Sequence, residues 1–266
     1  MLIRWLRRRR IRRTPFPPGW RVLLDRNMRF WSTLTADEQL RIEDEIRFFI
    51  AERHWEGCGG LKLTDEVRAV IAAQACRLLL ARPEDRFNNV SSILVYPSGY
   101  FTGPTRQGIM PGSGAGVINT GGQAVLGQAH DRGPVILSWS HTLTGAVYGH
   151  DGENLVLHEF AHKLDMAAGP VDGTPRMESA KQAHAWHDAM TSAREHLESD
   201  LRIGLSPPLR RYALTNPAEF FAVATEVFFE RPSAMFDWDA ELYRVLAEWY
   251  RQDPSHRDGS DGDGFR

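Results

Sequence analysis

The sequence predicts an α+β protein, mostly helical with a small mixed or antiparallel sheet, and three observations carry that expectation. Apolar residues recur at the 3.6-residue helical period in the first third and again in the last 110 or so positions, by a rough count. Between them, from about 92 to 140, the pattern changes to short apolar, β-prone runs broken by Gly and Pro. Strands grouped together and then followed by helices point to segregated elements.

In order, residues 1–18 read as a basic tail, with seven arginines between Arg4 and Arg13, closed by Pro15-Phe16-Pro17-Pro18. Residues 19 to about 82 form a helical N-terminal part of a domain expected to span 19–253. Trp20, Leu23, Leu24, Met28 and Trp31 keep helical spacing. Thr35-Ala36-Asp37-Glu38 is a capping box for a helix carrying Leu40, Ile42, Ile46, Phe49 and Ile50. Trp55 to Gly60 reads as a loop, and Thr64-Asp65-Glu66 opens a helix running through Val67, Val70, Ile71, Ala75 and Leu78. Ser92–Pro97 reads as a strand, Gly116–Asn119 and Ala124–Gly127 as weaker ones, and Gly133–Ser140 as the last. The helices that follow run from the Asn154 cap to the Gly169-Pro170 break, over about 178–198, over 217–229, and through Leu242 to Tyr250. Residues 254–266, rich in Asp and Gly, are expected to be disordered.

Composition narrows the function. With 42% hydrophobic and 25% charged residues the chain is globular, and a formal net charge of -2 gives no reason to expect direct nucleic-acid binding. Cys58 and Cys76 stand in no CxxC pattern, which excludes a disulfide scaffold and a thiolate metal site and suits a reducing compartment. No apolar run reaches the roughly 18 residues of a membrane span, and the basic N-terminus is followed by no signal-peptide core. The arginines of the tail are read as solvated. Cytoplasm is the default expectation.

The stretch with chemistry in it is Asn154-Leu155-Val156-Leu157-His158-Glu159-Phe160-Ala161-His162-Lys163-Leu164-Asp165. It contains HExxH. On a helix, positions 158 and 162 lie one turn apart on nearly the same face, so two imidazoles can converge on one Zn²⁺ while Glu159 reaches a water beside it. Asn154 suits the N-cap and Gly169-Pro170 the end. The competing reading, two ordinary helical histidines, sits poorly with a His-Glu pair in so apolar a helix.

A catalytic zinc needs a third protein ligand and an open position. Residue 168 is Ala, so a third His at the metzincin position is absent. Glu219 and Glu226 remain, seven residues apart on one face of an apolar helix capped by Thr215 or Asn216, with Pro217 in its first turn. A buried carboxylate is costly unless paired: either one could be the ligand, and the alternative is a salt bridge to a buried Arg. His184 and His187 are also about a turn apart, but no carboxylate motif accompanies them and they read as surface residues.

HEFAHKLD followed by YALTNPAEFFAVATEVFFE resembles the Mlc titration factor A family of zinc peptidases, over most of residues 16–250. The active site of that family is similar to that of anthrax lethal factor, a gluzincin. The resemblance implies a zincin-like metallopeptidase fold, Zn²⁺ as cofactor, His158, His162 and Glu219 as metal ligands, and Glu159 and Tyr212 as catalytic residues. Where thermolysin-like enzymes carry an Asp four residues after the ligand Glu, Val223 stands here, and Asp165 is the candidate for supporting a ligand instead. The implied activity is that of an aminopeptidase or a hydrolase of short peptides. The place of the Val135–Ser140 strand just before the HExxH helix suggests it, separately, as an edge along which an extended peptide lies. The implied partner, besides peptide substrate, is the glucose repressor Mlc. The alternative is a non-catalytic anti-repressor binding protein with a structural zinc site.

Overall fold

A computed structural model of the chain describes residues 2–82, 86–98 and 133–258. It divides into two compact units, Met1–Leu80 with Asn88–Val147 and Ala81–Phe87 with Tyr148–Arg266, where the sequence suggests one domain.

The first unit opens with helix α1 (Leu2–Arg12) and α2 (Pro18–Asn27), followed by a 3-10 turn at Arg29–Thr33. The basic tail is thus a helix in its first eleven described positions, a correction with a clear cause. Arg8 donates to both oxygens of Glu52 at 2.5 and 2.6 Å, so charges that repel along the sequence are neutralised across space. Helix α3 (Ala36–Glu52) has the anticipated capping box: the Glu38 amide donates to Thr35 Oγ1 and the Thr35 amide to Glu38 Oε2. It buries Ile42, Ile46 and Phe49, while Leu40 points to solvent. Glu43, buried on the same helix, is held by a two-pronged bond from Arg21.

Strand β1 (His54–Gly57) lies where a loop was expected. It has only four residues, none β-branched, which hid it from pattern reading. Gly57 is required there, because a Cβ would sit 2.1 Å from the Leu61 carbonyl oxygen. Helix α4 (Asp65–Leu78), capped by Thr64, is buried nearly all round and fills the centre of this unit. Strands β2 (Ser92–Tyr96) and β3 (Val135–Ser138) complete a sheet of order β1-β2-β3. Both pairings are parallel, where a mixed or antiparallel sheet was expected. Between β1 and β2 the chain makes the crossover that parallel pairing demands, through α4. Among the described residues β3 is a sheet edge, with Val135 and Leu137 buried. The candidate strands 116–119 and 124–127 lie outside the described residues. Trp139 and Ser140 belong to α5 (Trp139–Tyr148), a helix unforeseen because its Ser, Thr and Gly residues are poor helix formers.

The second unit is helical among its described residues: α6 (Leu155–Met166), α7 (Ala180–Arg202), a 3-10 turn at Arg211–Thr215, α8 (Pro217–Glu230), α9 (Pro232–Trp238), α10 (Ala240–Tyr250) and α11 (Ser255–Asp258). All of α6 and all of α8 after Pro217 are buried. Around α8 pack Trp186, Trp249 and Tyr250, with the Phe221 and Trp186 rings 5.5 Å apart and Phe228 stacked on Tyr250 at 5.6 Å. Next to α11 the Tyr243 hydroxyl donates to Asp253 at 2.5 Å and accepts from the Ser255 amide at 3.0 Å, within the stretch expected to be disordered.

Candidate metal centre

Two buried helices meet at the centre, and local sequence fixes where each begins. Asn154 caps α6, its Oδ1 accepting from the Leu157 amide at 3.0 Å. Asn216 caps α8 in the same way, accepting from the Glu219 amide at 2.9 Å, with Pro217 in the first turn. These caps set the phase of His158 and His162 on one helix and put Glu219 in the first turn of the other.

The three side chains converge. His158 Nε2 and His162 Nε2 are 3.2 Å apart, and Glu219 Oε2 lies 3.1 Å from the first and 3.5 Å from the second. A four-coordinate cation with bonds of about 2.0–2.1 Å holds neighbouring donors roughly 3.3–3.4 Å apart, so this triangle fits one. All three residues are buried, and Glu219 Oε2 makes no well-formed hydrogen bond. Such an oxygen is costly to bury without a cation to face. His158, His162 and Glu219 could therefore hold a metal ion.

Glu226, the other candidate ligand, turns to the far side of the same imidazole. Its Oε1 lies 2.7 Å from His158 Nδ1 and accepts from Arg210 Nη2 at 2.6 Å, while its Oε2 accepts from the Asn154 amide at 2.6 Å. Asn154 Nδ2 also donates to Glu230 at 2.7 Å. A proton on Nδ1 shared with Glu226 leaves the Nε2 lone pair facing the centre. Burial alone would hold the His158 pKa down, but the Glu226 and Glu219 carboxylates push it above its ordinary value. A proton and a metal ion thus compete for Nε2.

Asp165 does not support either histidine, a correction to the sequence reading. Its carboxylate accepts from the Gly173 amide at 2.8 Å and the Thr174 amide at 3.0 Å, holding the loop after α6. That loop presses on α8. Gly173 has φ +79°, and a Cβ on it would fall 2.4 Å from the Pro217 carbonyl oxygen, two residues before Glu219. Trp186 Nε1 donates to the Gly173 carbonyl at 3.0 Å, closing the arrangement from α7.

Glu159 is fully buried, and neither carboxylate oxygen has a hydrogen-bond partner. Burial pushes its carboxyl up to about 8. Tyr212 is 37% exposed, its ring centroid 6.1 Å from that of His158 and the Arg210 guanidinium 5.9 Å over its face. Burial and the Glu219 carboxylate raise its hydroxyl above the ordinary phenol range, so it remains a proton donor at neutral pH. His184 and His187 are exposed, as expected of surface residues. Glu226 makes the arginine salt bridge that the sequence left open as the alternative to ligation, with Arg210 as its partner, and it also holds His158, which the sequence did not indicate. A cation two positions before Tyr212, in a chain with two spare buried acids, was the available signal.

The family described as glucose-regulated metallo-peptidase M90 matches residues 2–251. A Synechocystis protein, slr2042, is 34% identical over 253 residues, covering 94% of this chain and 90% of its own length. Mlc titration factor A of Salmonella agona is 30% identical over 228 residues, 84% of this chain and 83% of that protein. The protein of the same name from Yersinia enterocolitica is 26% identical over 259 residues, 96% and 93% of the two chains.

Proposed function

This chain belongs to the M90 family of glucose-regulated metallopeptidases, and from that premise we propose that it is a zinc-dependent aminopeptidase or hydrolase of short peptides. The observation that carries the reading is the triangle of His158, His162 and Glu219 donors at 3.1–3.5 Å. Two imidazoles and one carboxylate are a donor set suited to zinc with a position left for water. When bound, the ion supplies a Lewis acid that makes water a nucleophile near neutral pH and polarises the scissile carbonyl.

In this reading the chain's own residues do the rest. Glu159, beside the ligand His158, takes the proton of the attacking water and passes it to the leaving amine. Glu159 would act from its carboxylate form, which a cation held by His158, His162 and Glu219 would favour. Tyr212 donates its phenol proton as a hydrogen bond to the developing oxyanion. Glu226 holds His158 by Nδ1. Cytoplasmic action fits the absence of a membrane-spanning helix among the described residues and the two free cysteines.

A second reading has its own support: the relatives called Mlc titration factor A are named for Mlc. By analogy this chain binds a glucose repressor of that kind, with peptidase activity beside it or without any. A metal site kept only for structure has no use for an unpartnered buried Glu159 or a phenol near His158, which favours the enzyme. Metal analysis with hydrolysis of chromogenic amino-acid and peptide substrates tests both. About one zinc per chain is expected, with turnover lost in Glu159→Gln at full zinc content. Full activity in that variant sinks the mechanism, and capture of the repressor by a turnover-free wild type supports the adaptor.

A further inference from the structure

The N-terminal helix carries chemistry that the metal centre does not use. Arg4, Arg7, Arg8, Arg9, Arg10 and Arg12 lie in α1 with Arg13 just beyond, and no acidic residue accompanies them. One face is fastened to α3. Besides the Arg8–Glu52 pair, Arg12 Nε is 3.3 Å from Asp44, and the Arg8 and Arg12 guanidinium carbons sit 4.8 and 5.4 Å over the Phe48 ring. Arg47 of α3 donates to the carbonyls of Ile11 and Thr14, taking up the end of the helix.

The opposite face is built differently. Leu6, Arg9, Arg10 and Arg13 follow the i, i+3, i+4, i+7 rule of a single stripe. All four are exposed, and Leu6 keeps 51% of its surface in solvent.

We propose that the stripe docks the protein on an anionic phospholipid bilayer. The arginines meet lipid phosphates, and Leu6 enters the boundary between headgroups and acyl chains, as in helices that lie in the membrane plane. Charge complementarity alone would also suit RNA. Sequence-tolerant RNA binding, however, relies on aromatic side chains for bases to stack on, and the stripe has an aliphatic residue instead. Contact is peripheral, since no described helix is long and apolar enough to cross.

The test is co-sedimentation of the purified full-length protein with phosphatidylcholine vesicles, with and without a phosphatidylglycerol fraction. Binding is expected only to the anionic vesicles and falls with added salt. The double variant Arg10→Glu with Arg13→Glu lowers partitioning roughly 25-fold or more, from about 1 kcal/mol per basic residue at the surface. Leu6→Gln weakens binding less while leaving the salt dependence. Neither change touches the metal centre, so zinc content and peptidase rate in solution stay at wild-type values. Equal binding to both vesicle types, no binding, indifference to the charge reversal, or capture of RNA without vesicles each overturn the proposal. If the double variant misfolds, the wild-type lipid preference and Leu6→Gln still decide.

Discussion

Helices α6 and α7 both carry histidines about one turn apart, and they end in opposite circumstances. On α6, His158 and His162 are buried, and acids from α8 meet them on both sides of one ring. On α7, His184 and His187 face solvent, and the His184 ring merely bonds the Ala180 carbonyl of its own helix. The histidines are the same, so they do not make the site. What makes it is a neighbouring helix that arrives with carboxylates and excludes water, which turns the cost of burying charge into affinity for a cation.

That contrast can be broken by experiment, starting where the effect is largest. Glu219→Ala removes the one donor from α8, and zinc content in the purified protein is expected to fall from about one per chain to near zero. Retention of stoichiometric zinc would return α6 to the status of α7. Glu226→Gln keeps the size of the side chain but loses the negative charge behind His158. Supports of this kind are worth roughly 10–100-fold in metal affinity, measurable by competition with a chelator. An unchanged affinity would show that Glu226 serves packing alone.

Gly173→Ala tests the wedge between loop and α8. The added methyl would lie 2.4 Å from the Pro217 carbonyl oxygen, at a backbone φ of +79°. A loss of about 1–3 kcal/mol of stability is expected, visible as a lower melting temperature, together with weaker zinc binding because Glu219 shifts. A fall in melting temperature with no change in zinc affinity would confine the loop to a structural role. Smallest of all, His184→Ala with His187→Ala is expected to leave zinc content and turnover within error. A measurable loss there would mean that α7 takes part after all.

Much of α6 and α8 was legible because their signals are local: an Asn cap, a Pro in the first turn, an apolar body. The division of labour between Glu219 and Glu226 was not. Seven residues bring them to nearly the same face, but also separate them by about 10 Å along the axis, so each meets a different side of His158. Only the position of the neighbouring helix distinguishes the two. Distance along the chain hid other features for the same reason. Helix α1 depends on Glu52 and Asp44 from α3. Asp165 stands where the resemblance suggests support for a ligand, yet its acceptors are spent on amides eight and nine residues ahead. Strand β1 is stabilised by pairing to β2, some 38 positions on by its register, rather than by its own residues.

One residue outside the ligand triangle ties these helices into a unit. Asn154 starts α6 with its side-chain oxygen, gives its backbone amide to Glu226, and gives its side-chain amide to Glu230 near the end of α8. Transplanting the histidine helix alone into another scaffold would carry over both imidazoles and leave the starting residue's two donors without takers. The portable module is the pair, cut from 154 to 166 and from 216 to 230, and an engineer who borrows less inherits a motif without its grip.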